Sequence, residues 1–147
     1  HVTDAPEARA MDQHLLETSL TLVDGADGAL TPRFYAILFD RYPQVRPMFG
    51  ADTGPQAAML RSAIVAVLEH LDDAAWLGDT LGRLGAQHAA YGVTPPMFDA
   101  VAECMLAAMA ELGGEAWTPV MTEAWAEALG AVAGLMLAGY PAEATAS

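Results

Sequence analysis

The sequence predicts a compact all-α domain, and three observations carry that prediction. Alanine, the residue with the best intrinsic helix propensity, is abundant, and apolar/polar alternation of β-branched residues is nearly absent. Proline and glycine cut the chain into pieces of helical length. Inside those pieces apolar residues recur at steps of three and four, the spacing of one helix face. No strand pattern, internal repeat or flexible interdomain linker stands out.

Each element can be justified in turn. A first amphipathic segment runs roughly over residues 8–23. A second, residues 31–42, opens on Thr31-Pro32, a capping hydroxyl followed by the proline that first helical turns favour. After Pro55, Leu60, Ile64, Val67 and Leu71 fall at steps of 4, 3 and 4. Leu77, Leu81 and Leu84 form the next stripe. Thr94-Pro95 opens a helix lined by Phe98, Val101, Met105 and Leu112, and Thr118-Pro119 opens the last one, with Trp125, Leu129, Val132 and Met136. The count is six or so helices with short connections, the architecture of an all-α bundle. The small residues after Pro141 read as a disordered tail.

Size and charge narrow the function. A chain of 147 residues is one domain's worth and can bury a self-sufficient core, and 54% hydrophobic content argues against disorder. Nineteen acidic against 6 basic side chains give a formal charge of −13 and a pI near 4.3, which repels nucleic-acid phosphates and anionic membrane surfaces alike. Apolar runs such as residues 131–140 fall short of the about 20 residues that cross a bilayer. No signal peptide is legible, although a chain opening on His1 has been processed or cut, and cytoplasmic placement is the expectation. The lone Cys104 rules out an internal disulfide framework or a multi-thiolate metal site and reads as a small buried hydrophobe.

Polar residues that interrupt apolar stripes are the informative ones, because burial penalises them. One turn before Leu60 lies Gln56, one turn after Leu84 lies His88, and Tyr35 sits one turn before Leu38. Each has an ordinary explanation: a satisfied interior histidine, a glutamine capping the helix start behind Pro55, a tyrosine with its hydroxyl at the rim of the core. Together, an imidazole from one side and a Tyr/Gln pair from the other can enclose an iron porphyrin, since histidine is the usual proximal haem ligand. His70 lies about 21 Å along a helix from Gln56 at 1.5 Å per residue, too far to serve the same metal.

The run Phe34-Tyr35-Ala36-Ile37-Leu38-Phe39-Asp40-Arg41-Tyr42-Pro43-Gln44-Val45-Arg46-Pro47-Met48-Phe49, then Gln56, Leu60, and the segment Leu84-Gly85-Ala86-Gln87-His88-Ala89-Ala90-Tyr91-Gly92-Val93 resemble the globins. The likeness is to bacterial single-domain haemoglobins and the globin half of flavohaemoglobins, over roughly residues 11–140. The resemblance implies a globin fold of six to eight helices in one domain holding haem b. It implies His88 as the proximal iron ligand, Tyr35 and Gln56 as distal donors, and Phe49 stacked on the porphyrin. Leu60, Leu84, Phe98, Val101, Met105, Leu129 and Val132 would wall the pocket, although Met105 and Met109 are as readily gap fillers of the core.

Two departures from flavohaemoglobins matter. Where those proteins usually back the proximal histidine with a Tyr and a late Glu, this sequence offers Phe98 and Tyr140, and it carries no flavin reductase. His88 should then hydrogen-bond only locally, to the Leu84 carbonyl, and be a milder electron donor. The ligands implied are O2, NO and CO. High-affinity dioxygen binding for transport or storage is the leading expectation. Nitric oxide dioxygenase activity with a separate reductase, and a gas-sensing or haem-free helical interaction domain, are the alternatives. Arg46 and Arg83 are candidates to hold haem propionates.

Overall fold

The structure, a computed structural model, describes the backbone of residues 5–141 and side chains from Gln13 onward; the tail after Pro141 and His1 lie outside the described residues. Six α-helices follow one another: α1 (Ala5–Asp24), α2 (Leu30–Arg41), α3 (Gly54–Glu69), α4 (Ala74–Ala90), α5 (Pro95–Gly113) and α6 (Pro119–Ala138). Short 3-10 helices at Pro43–Met48 and Gly114–Ala116 turn the chain after α2 and α5, and no strand occurs among the described residues.

Two of the three expected helix starts are where threonine and proline place them. Thr118 caps α6, its Oγ1 accepting from the Met121 N–H at 3.3 Å. Thr94 precedes α5 in an extended conformation with Pro95 in the first turn. The third expectation is corrected. α2 begins at Leu30, so Thr31 is inside the helix and buried. The cap comes instead from Asp24, at the end of α1 just before the short turn into α2, whose Oδ1 accepts from the Leu30 N–H at 3.3 Å while its Oδ2 takes Arg61 Nε at 2.6 Å. A carboxylate at a helix N-terminus also meets the positive end of the dipole. Asp73 caps α4 by accepting from the Trp76 N–H at 3.0 Å.

The core joins α1, α2, α5 and α6 around Leu16, Phe34, Met105, Met109 and Trp125, with Cys104 fully buried as expected. Leu68, not Val67, takes the buried position of α3, because a step of four from Ile64 stays nearer the inward face. Trp125 is satisfied in the core by donating from Nε1 to Ser19 Oγ at 2.8 Å, and Ser19 in turn donates to the Leu15 carbonyl at 2.6 Å.

α6 corrects one further expectation. With 20 residues and a mean hydropathy of 1.3 it is long and apolar enough, by length and composition, to cross a membrane. Its packing is that of a bundle helix: Trp125 and Met136 are buried, and it rests on α4, α5 and α1.

Candidate functional site

α4 is the odd member of the bundle. Among the described residues it packs closely on α6 and only slightly on every other helix, which leaves its remaining face apart from α2, α3 and α5 as one wall of a candidate cleft. Its seat on α6 is unusually close. A Cβ on Gly85 would collide with the Met136 carbonyl, and one on Gly139 with the Gly82 carbonyl. Glycine inside a helix costs about 1 kcal/mol relative to alanine, and this backbone-to-backbone approach is what the glycines permit.

His88 lies in the last turn of α4 and is half-buried. Its Nδ1 sits 2.8 Å from the Leu84 carbonyl oxygen, to which the Nδ1-protonated ring donates. That hydrogen bond fixes the tautomer and leaves the Nε2 lone pair without a protein partner among the described residues. Phe98, at the start of α5, lies 6.5 Å from the imidazole, ring centre to ring centre, and Tyr140 meets Phe98 edge-on at 6.0 Å. The Tyr140 hydroxyl donates instead to the Val93 carbonyl at 2.7 Å. No carboxylate hydrogen-bonds to His88 among the described residues.

On the α2–α3 side the aromatic residues converge. Tyr35 packs against Phe34, Phe39 and Phe49 at ring distances of 4.9, 5.8 and 5.4 Å. Its hydroxyl has no protein hydrogen-bond partner among the described residues, and burial pushes its pKa above the usual tyrosine value. Gln56, in the first turn of α3, does not cap that helix. Its Oε1 is buried and unmatched, the condition that normally costs a protein about 1–3 kcal/mol.

Between these groups lie apolar side chains that close packing would have sealed. Leu60, Val101 and Leu129 lean on the core yet remain partly exposed, as do Phe49, Leu84, Phe98 and Val132. Phe39, whose ring lies 5.2 Å from Phe49, belongs to the same surface; within the sequence it reads only as part of the helix run. Met105 is corrected. At 1% exposure it is enclosed in the core with Met109 and offers no face to the cleft, so the gap-filling reading holds for both.

The two candidate propionate partners are both engaged. Arg46 donates to the carbonyls of Phe49, Gly50 and Ala51 at 3.3, 2.9 and 3.1 Å, with its guanidinium 4.8 Å from the Phe39 ring centre. It secures the turn that presents Phe49, a role sequence spacing did not reveal. Arg83 pairs with Asp79 at the exposed surface.

By their chemistry these residues fit a flat apolar group with one metal: an imidazole nitrogen and a phenol without protein partners among the described residues, an orphaned buried amide oxygen, and partly exposed apolar side chains. Residues 32–136 match the family model described as Globin, and the chain belongs to the globin family. Among its relatives are the flavohemoprotein of Pseudomonas putida, 29% identical over 132 residues, and that of Deinococcus radiodurans, 30% identical over 135. The alignments cover 87% and 90% of this chain but 34% and 32% of those proteins, so it spans about a third of their length. A bacterial globin from Campylobacter jejuni superposes with a TM-score of 0.75 at 23% identity, covering 87% of this chain and 93% of that one. An engineered carbene transferase from Rhodothermus marinus, described as a candidate nitric oxide dioxygenase, superposes at 0.73 with 27% identity and 91% of both chains covered.

Proposed function

We propose that His88 is the axial ligand of a haem b held in this cleft, and that the chain binds dioxygen with high affinity, for transport or storage. Haem, when bound, would supply an iron that takes O2, NO or CO. The observations that carry the reading are a tautomer-fixed His88 Nε2 on α4 without a protein partner among the described residues and a buried, unmatched Gln56 Oε1 on α3.

What the chain itself contributes follows from its groups. The Leu84 carbonyl accepts from Nδ1 of His88 and so aims the ring, and with no carboxylate partner among the described residues the imidazole would be a moderate donor. Tyr35, with its pKa raised by burial, stays protonated at neutral pH and is therefore a hydrogen-bond donor to a diatomic ligand. Rotating the Gln56 amide by half a turn exchanges its oxygen for a second donor. A hydrogen bond to an acceptor carrying charge contributes roughly 1.5–3 kcal/mol, one to two decades in affinity. The apolar side chains would exclude water from the bound group.

The test is the absorption spectrum of the haem-loaded chain and of His88→Ala. A Soret band that His88→Ala abolishes or shifts to a weaker-ligand form is the expected result; an unchanged spectrum overturns the assignment. Nitric oxide dioxygenation is the second reading, favoured by identity to flavohemoproteins over most of this chain. In that reading a separate reductase restores the ferrous iron. Sustained nitrate production from NO and O2 with a cellular reductant distinguishes it, since a single stoichiometric turnover is common to both readings.

A further inference from the structure

We propose that the stacked rings of His70 and Trp76 are a clamp that sets the direction of α4, and through it the position of His88; the inference rests on His88 being the axial ligand. His70 closes α3, its backbone N–H donating to the Val67 carbonyl at 3.0 Å, and Trp76 lies in the first turn of α4. Their ring centres are 3.8 Å apart and their planes differ by 9°, a face-to-face stack of two half-buried side chains. The stack is anchored on both sides. The Nδ1-protonated imidazole donates to the Ala66 carbonyl at 2.8 Å, which fixes the plane that α3 presents. The Trp76 N–H donates to the Asp73 carboxylate at 3.0 Å, and the Asp73 N–H donates to the His70 carbonyl at 2.9 Å. Backbone and side chains together therefore close the connection between the helices, and Leu71 packs it against the core.

The clamp matters because of where it stands on α4. Away from this turn α3 and α4 touch only slightly, so the backbone alone does not hold them at one angle. The closest contact of α4 with α6 falls at Gly82 and Gly85, in the second half of the helix. Two points, the stack at the start and the glycine seat further on, fix the direction of a rigid helix. His88 lies beyond both, about 18 Å from Trp76 at 1.5 Å per residue. Releasing the first point lets α4 swing about the second and carries the imidazole with it. Leu84 moves with the same helix, so the hydrogen bond from His88 Nδ1 is kept while the place of the ring changes. His70, too distant to be a ligand, thereby acts on the ligand through Trp76 and α4.

The experiment compares the full haem-loaded chain with Trp76→Leu, with His70→Leu, with the two combined, and with Trp76→Phe, which keeps a flat ring. Trp125→Phe, which removes the bond to Ser19 in the core, is the control for lost stability alone. The readouts are the iron–imidazole stretching band of the ferrous protein and the rate of haem transfer to apomyoglobin. Either leucine substitution is expected to shift or broaden the band and to speed haem loss by about two- to tenfold, the range of one aromatic contact. Trp76→Phe is expected to restore most of both. Because the rings act as a pair, the combined substitution should add nothing to either single one. Trp125→Phe is expected to lower the melting temperature and leave the band in place. Additive effects in the combined variant, or a lowered melting temperature in the single ones with band and haem loss unmoved, make the rings merely structural and overturn the proposal. A band that survives in His88→Ala refutes the axial role itself, a result that no His70 or Trp76 variant can produce.

Discussion

Gln56 keeps a buried acceptor that the folded chain leaves unmatched, a local stability loss that the proposed function would explain as tolerated for a ligand. Replacing it separates the two effects. Gln56→Leu is expected to leave the haem-free chain as stable or more so, by up to about 1–3 kcal/mol, while dioxygen dissociates about tenfold faster. Calorimetry and stopped-flow measure the two halves. Tyr35→Phe should likewise accelerate dissociation by about one to two decades, and an unaltered off-rate would place the hydroxyl outside the pocket. At this scale the sequence was partly legible. Tyr35, Gln56 and His88 were visible because each interrupts an apolar stripe, whereas Met105 looked the same as Val101 on its stripe. Helical periodicity says which face a residue is on but not whether that face meets the core or the cleft.

Among elements, the most informative contact is that between α4 and α6. Gly85→Ala would drive a methyl group into the Met136 carbonyl, so α4 must shift. Overpacking of this kind costs about 1–3 kcal/mol, and the expected outcome is a lower melting temperature together with weaker haem retention. Equilibrium unfolding and haem transfer check it. The starts of α5 and α6 could be read from Thr-Pro pairs, since capping is a local interaction. The start of α2 could not, because its cap is an aspartate on the far side of the α1–α2 turn, outside the Ser/Thr/Asp-before-helix position that a capping pattern reads. The close approach of α4 to α6 was equally hidden: three glycines in a helix announce a cost in propensity, not the carbonyl that explains it.

The molecule as a whole carries its charge unevenly matched. The −13 net charge coexists with cross-helix pairs in which Glu103 meets Arg41 and Tyr42, and Glu111 meets Arg33, joining α5 to α2. Hydrogen bonds from these partners hold both carboxyl pKa values below the usual 4.5. A depressed folded-state value means that stability is present above the ordinary pKa and is lost as pH falls through the lowered one. The expected profile is a flat melting temperature near neutrality that declines below about pH 4.5, measurable by circular dichroism. Both pairs are exposed, so this decline is modest. The fold class itself was legible from composition and periodicity.

The one-sided attachment of α4 also bears on how the protein matures. A helix held along one side is protected on that side alone, so in the apoprotein the α4 amides turned away from α6 should exchange with deuterium sooner than those turned toward it. Capture of the prosthetic group and ordering of that helix then become a single event. Newly made chains would acquire their last structured segment only where porphyrin is in supply, tying the lifetime of the polypeptide against proteolysis to the cell's iron economy.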